Sequence, residues 1–186
     1  MFGVLSSQRT YSSWDPSKTN QGINNNGTTM LSSASTGGAA GTKLASFGKT
    51  YVEITIDLRG GGIGIHVGVW GTGTAIGVAP SFLGNTADSY SYSASAVREN
   101  NGAGFGYGAT FTTGDNIGIM YDASVGTLEF RKNGVSQGVA YSGIASGLFI
   151  AASSDVAGNQ VGCTINCGAT PFVYSVPSGY NPGLYS

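Results

Sequence analysis

Few side chains in this chain could perform chemistry. It has one histidine, His66, nine Asp and Glu in total, and two thiols, Cys163 and Cys167. A Ser-His-Asp arrangement would have to use His66, which falls mid-strand in "IGIHVGVW" with Gly64 and Gly68 in the same row. That setting suits a hydrogen-bonded structural imidazole better than a general base. Glycoside hydrolysis would need two carboxylates about 5 to 10 Å apart. Turn positions account for most of the acids instead: Asp15 precedes Pro16, Asp115 and Asp122 bracket a strand, and Glu129 faces outward in a hairpin. Cys163 and Cys167 are four apart in "QVGCTINCG". Read as a strand at about 3.3 Å per residue, that spacing separates their Cα atoms by roughly 13 Å, whereas a disulfide tolerates at most about 7 Å. Two Cys and one distant His are too few for a zinc site, so both thiols are expected to be free and structural. In "NGAGFGYGATF", Gly102, Gly104, Gly106 and Gly108 recur at period two without the Lys or strand-to-helix context of a phosphate loop. They predict a segment packed closely against another backbone. No catalytic residue, metal or cofactor is expected, and the chain is read as a non-enzyme.

Recognition chemistry has better candidates. Trp70, Tyr90, Tyr92 and Tyr107 fall near predicted loop junctions, and Arg98, Asn100 and Asn101 stand among them in the sequence. Aromatic faces beside Asn and Arg suit sugar rings or protein partners. Against this stands the number of aromatics, 10 Tyr, 8 Phe and 2 Trp, most of which must fill a core.

The elements that would position these residues are short strands. At 186 residues the chain suits one domain, with 32 Gly and only 9% charged residues. "KTYVEITIDL" alternates, setting Val52, Ile54, Ile56 and Leu58 on a core face and Tyr51, Glu53, Thr55 and Asp57 on the other. "IGIHVGVW" does the same, with Ile63, Ile65, Val67 and Val69 inward and His66 and Trp70 on the less apolar face. "GTLEFRKNGVSQGVAY" is a hairpin whose Asn133-Gly134 suits a type I′ turn, because that turn needs positive φ at both central residues. "GDNIGIMYD", "GLFIAAS" and "VGCTINCG" add further strands, and nothing reads as a long amphipathic helix. The fold predicted is all-β, an antiparallel two-sheet β-sandwich over residues 11–186, with residues 1–10 as an N-terminal extension. No apolar run approaches the roughly 20 residues of a membrane helix. Met1 to Thr10 lacks a signal-peptide pattern, which leads to an expectation of synthesis in a cytoplasm. With net charge −1 and scattered Lys and Arg, a nucleic-acid partner is not expected.

The order of these segments resembles a SPRY domain. The likeness rests on "GKTYVEITI", "GIHVGVW", "DSYSYSASAVRENNG", "YGATFTTGDNIGIMYD", "GTLEFRKNGVSQGVAY", "LFIAASS" and "VGCTINCGATPFVYSVPSGY". The stretch from Tyr107 to Tyr141 is its most specific part. Thr50 and Val52 depart from it, since the family commonly carries aromatics on either side of the position of Tyr51. The resemblance implies a jelly-roll-type, concanavalin-like sandwich and a binding scaffold, and it assigns no individual binding residue. The opening "WDPSKT…INNNGTTM" looks like the N-terminal strands of SPRY proteins of phages. That likeness implies a virion component, made in the host cytoplasm, decorating a capsid or forming part of a tail or fibre. Its partners would be other virion proteins, and it would be present in multiple copies. The alternatives are a receptor- or carbohydrate-binding module for a host surface glycan, and an intracellular SPRY adaptor that binds a peptide.

Overall fold

The computed structural model describes residues 9–19, 22–32, 37–45, 48–71, 82–155 and 160–186. Fifteen strands are assigned among them: β1 (Trp14–Thr19), β2 (Gly22–Asn24), β3 (Thr29–Leu31), β4 (Gly37–Ala45), β5 (Lys49–Leu58), β6 (Ile65–Trp70), β7 (Ser89–Ser93), β8 (Val97–Asn100), β9 (Ala103–Gly106), β10 (Asn116–Asp122), β11 (Thr127–Lys132), β12 (Val135–Tyr141), β13 (Leu148–Ser154), β14 (Gly162–Asn166) and β15 (Asn181–Pro182). The signal-peptide question concerns mainly residues 1–8, which lie outside the described residues.

Two sheets form. The first runs β1-β4-β13-β6-β7-β8-β9 and the second β12-β11-β10-β5-β14-β3-β2, with β15 beside β5. All pairs are antiparallel except β15 with β5. The expected antiparallel β-sandwich is therefore the fold observed. Val52, Ile54, Ile56, Val67, Val69, Ile117, Ile119, Leu128 and Phe130 are fully buried in one apolar core. Each such side chain contributes about 1.5–3 kcal/mol of transfer free energy, which is why strict alternation fixes register.

The alternation fails at strand ends. Leu58, expected inside, is 37% exposed. The β5–β14 register slips there, from Cys163 opposite Ile56 to Gly162 opposite Leu58, and a bulge of this kind turns the side chain to the other face. Ile63, also expected inside, is 42% exposed, because β6 begins only at Ile65.

Both outer faces are partly covered, which alternation alone does not foretell. Tyr51 and Glu53, placed on the outer face by the sequence, are buried. The Glu53 carboxylate accepts hydrogen bonds from Val173 N at 2.8 Å and Tyr174 N at 2.9 Å, and from the Tyr51 hydroxyl at 2.9 Å. This fastens the C-terminal segment over the second sheet. Gly118 leaves room for the Tyr51 ring, since a Cβ there would lie 2.7 Å from it. On the outer face of the first sheet, Trp70, Leu83, Phe149 and Ala151 form a separate apolar group. Both thiols are buried, Cys163 in β14 and Cys167 just beyond it, and both are free. Burial raises both thiol pKa values, that of Cys167 to about 12.

Candidate functional site

Two hairpins face each other at one side of the sandwich. Asn101 and Gly102, with φ of 52° and 72°, join β8 to β9. Asn133 and Gly134, with φ of 48° and 79°, join β11 to β12. Both dipeptides thus take the positive φ that a type I′ turn needs, as expected for Asn133-Gly134. The hairpins leave β9 at the edge of the first sheet and β12 at the edge of the second.

Cross-strand pairing puts Tyr92 opposite Arg98 and Arg98 opposite Phe105, so the three share one face. Tyr92 is core, yet Phe105 is 61% exposed. The inner face of the first sheet therefore runs out past its cover. Arg98, Asn100, Asn101, Ala103, Phe105, Tyr141 and Ser142 line the open cleft of about 520 Å³ that results.

The cleft is held by its own polar contacts. The Arg98 guanidinium donates to the Ala140 carbonyl, with its centre 5.6 Å from the Tyr141 ring and 5.9 Å from that of Phe105. The Tyr141 hydroxyl donates to the carbonyls of Ser91 and Glu99 at 2.8 and 2.9 Å, and its ring meets Tyr90 edge-on at 5.2 Å. Burial pushes the Tyr141 and Tyr107 hydroxyls well above their ordinary pKa, so both are fixed donors. Burial, then Asp88, raises Tyr90, and burial, then Asp155, raises Glu99. No described carboxylate lies within ion-pair distance of Arg98.

Of the sequence candidates, Arg98, Asn100 and Asn101 do come together here. Asn100 is occupied, its amide donating to Ser89 O at 2.7 Å, whereas Asn101 is exposed. Tyr90 and Tyr107 are half-buried beside the cleft, with the Tyr107 hydroxyl on Gly138 O at 2.5 Å. Two candidates are corrected. Trp70 is sealed in the outer apolar group of the first sheet, its indole nitrogen without a partner among the described residues. Tyr92 is in the main core, packed against Tyr107, Phe111 and Phe130. Neither is presented on a recognition surface: Trp70 ends β6 and Tyr92 is next to last in β7, yet packing over each face of the sheet buries both side chains completely.

Phe105 and Tyr141 were missed. The alternation Ala103-Gly104-Phe105-Gly106 could have pointed to Phe105 as a lone large side chain on a strand, but the sequence gives no sign that this strand is an edge. The glycine reading is corrected as well. Gly104 and Gly106 are exposed, and a Cβ on Gly106 would meet nothing within 4 Å, so no backbone presses against it. Gly102 and Gly108 take positive φ and lie outside the strand.

The remaining titratable candidates are buried or dispersed. His66 is fully buried, its Nδ1 3.2 Å from the Ser91 hydroxyl, and burial lowers its pKa to about 4. No group of three His, Cys, Asp or Glu that could hold a metal ion occurs among the described residues.

Comparison with known proteins bears on the strands around this cleft. A family model described as SPRY domain matches residues 49–170. The chain is 31% identical over 140 residues to the E3 ubiquitin-protein ligase RKP of Arabidopsis thaliana, covering 73% of this chain and 10% of that protein. It is 38% identical over 112 residues to the dual specificity protein kinase splA of Dictyostelium discoideum, covering 60% and 4%. It is 36% identical over 75 residues to Ran-binding protein 9 of Xenopus tropicalis, covering 40% and 13%. The chain thus spans a small fraction of each of these relatives. The solved SPRY domain of human HERC1 superposes with a TM-score of 0.68 at 22% identity, covering 82% of this chain and 96% of that one, a likeness of fold.

Proposed function

We propose that this chain, which belongs to the SPRY-domain family, is a non-enzymatic protein-interaction module that takes its partner at the cleft between β9 and β12. One observation carries the reading: an exposed Phe105 stands beside an Arg98 that is held in place and faces no carboxylate. An aromatic anchor next to a fixed guanidinium is a typical centre of a protein interface. The name of Ran-binding protein 9 describes a protein bound to another protein, which supports protein partners in general.

The adaptor alternative is better supported than the phage-particle reading. The relatives named above are plant, amoeboid and vertebrate proteins, and their names give no virion context. A peptide-binding role inside the cell is accordingly preferred over capsid, tail or fibre attachment. Catalysis by the kinase or ligase relatives is not transferred, because the match covers only 4% and 10% of them.

The test is affinity capture from an extract of the source cells with wild type and Phe105→Ala side by side, followed by titration of each purified candidate partner. At least one partner should bind wild type and lose most of its affinity for the variant. Equal retention of every partner by both proteins would move the interface elsewhere. Binding to arrayed glycans that Phe105→Ala abolishes would favour the carbohydrate reading.

A further inference from the structure

The free edge of β9 is open in a way that the other edge of the cleft is not. Tyr107 N donates to Ala96 O, which makes Ala96 and Tyr107 a hydrogen-bonded pair. Such pairs alternate along an antiparallel ladder. Arg98 with Phe105 and Asn100 with Ala103 are therefore bonded pairs too, whereas Val97 with Gly106 and Glu99 with Gly104 are not. It follows that the N–H and C=O groups of Gly104 and Gly106 point away from β8 to the outside. Both residues are exposed, and no hydrogen bond to their outward groups occurs among the described residues. Nature commonly blunts such an edge with a charge, a proline or a bulge, and β9 has none of these.

We infer that β9 receives an extended segment of a partner protein as an added strand, paired to Gly104 and Gly106, with an acidic side chain of that segment meeting Arg98. The inference rests on the interaction reading above and gives it a chemistry. Main-chain pairing needs only the outward N–H and C=O groups of Gly104 and Gly106, and a Cβ on Gly106 would meet nothing within 4 Å. Side chains of an added strand alternate in facing, so those beside Phe105 turn toward the cleft and those between turn away. The uncompensated guanidinium decides the charge of the occupant. A second copy of this chain, added through its own β9, would bring only Ala103, Gly104, Phe105 and Gly106, and no carboxylate.

The experiment selects 12-residue peptides from a displayed random library on the intact chain and measures the synthetic hits against variants. Enriched peptides should carry Asp or Glu within an extended, apolar-alternating context. Gly106→Pro removes an outward donor without touching the β8 ladder, and prolines are tolerated on edge strands. It should leave the melting temperature unchanged and weaken binding about tenfold, the scale of a lost hydrogen bond plus a ring in the seam. Gly106→Ala, which keeps the donor, should bind like wild type. N-methylation along the peptide should weaken binding at every second position only. Arg98→Gln should weaken the acidic peptides and spare their amide counterparts.

The outcomes separate the two readings. Peptides that lose binding to Phe105→Ala but ignore both Gly106→Pro and N-methylation would overturn strand addition and leave the cleft as the site. Hits indifferent to Phe105→Ala would overturn both. Failure to enrich any peptide would overturn strand addition. Concentration-dependent self-association that Gly106→Pro abolishes would overturn the choice of occupant.

Discussion

Strands β9 and β12 border the same cleft, and each is entered through an Asn-Gly turn with both residues at positive φ. One edge is finished and the other is not. Along β12 the register slips twice, Gly138 takes φ of 83°, Gly138 O receives the Tyr107 hydroxyl, Ala140 O receives Arg98, and Gly138 N donates to the Ser136 hydroxyl. Bulges and side-chain caps of this kind prevent another strand from adding. Strand β9 keeps a regular register over four pairs, and its outward groups are unmet among the described residues. The two side chains that close β12, Arg98 and Tyr107, come from β8 and from the residue after β9. The first sheet therefore lends capping groups to the second and keeps none for its own edge.

The largest effect should come from breaking the turn that starts the closed edge. Gly134→Val forces a β-branched residue to φ of 79° and sets its Cβ 2.6 Å from the Tyr174 ring. Destabilisation of about 2–3 kcal/mol is expected, read as a fall in the denaturation midpoint. The matched change Gly102→Val also meets positive φ, but its nearest neighbour is Asn85 Oδ1 at 3.4 Å, so it should cost less. Equal losses at the two turns would mean that Tyr174 simply moves aside.

Acid should distinguish the sheets next. His66 lies in β6 of the first sheet and its pKa is lowered to about 4, chiefly by burial. Between its ordinary value and 4 the unfolded chain binds a proton that the folded chain does not, so stability is full above about pH 6.5 and falls as pH drops toward 4. At about pH 5 the loss is about 2 kcal/mol, reduced by Glu99 and Asp155, whose raised pKa values work in the opposite direction. Hydrogen exchange at about pH 5 and pH 7.5, corrected for intrinsic rates, should show β6 and β7 losing protection before β10 and β11. Loss of protection spread evenly over both sheets would show one cooperative unit.

Much of this architecture is legible in the residues. Alternation in "YVEITI" identifies Val52, Ile54 and Ile56 as core, and Asn133-Gly134 identifies its turn, because both signals are local. The burial of Glu53 depends on Val173 and Tyr174, about 120 residues away, and no period in the sequence reports that. The candidate site divides in the same manner. Arg98, Asn100 and Asn101 are neighbours in the chain and stay together, whereas Tyr141 joins them through pairing of distant strands. Trp70 and Tyr92 misled because an aromatic looks alike on a covered and an uncovered strand, and cover is a tertiary property.

A smaller effect should follow from uncapping β12. Tyr107→Phe removes the donor to Gly138 O and the acceptor for Phe130 N at 3.3 Å, while its ring keeps its place against Tyr92 and Phe130. Water can replace the bond at exposed Gly138, so the expected loss is about 1 kcal/mol. Exchange should quicken locally at β12 amides, and unchanged exchange there would show that the bulges alone close this edge.

The smallest effect on stability, and the largest on binding, is expected at Phe105. The side chain is 61% exposed, on a strand paired on one side only, and its contact with Arg98 is a guanidinium 5.9 Å from the ring. Arg98 keeps Ala140 O and Tyr141 when that ring is removed. Phe105→Ala should therefore shift folding stability by no more than about 0.5 kcal/mol, the range of surface changes that break no buried contact. A partner strand laid along Gly104 and Gly106 would, by contrast, lose its one large apolar contact on β9. A variant that melts like wild type and no longer binds would mark β9 as a surface kept for another chain. A variant that melts much lower would show that Phe105 serves the fold, and the contrast between the open and the closed edge would lose its functional meaning.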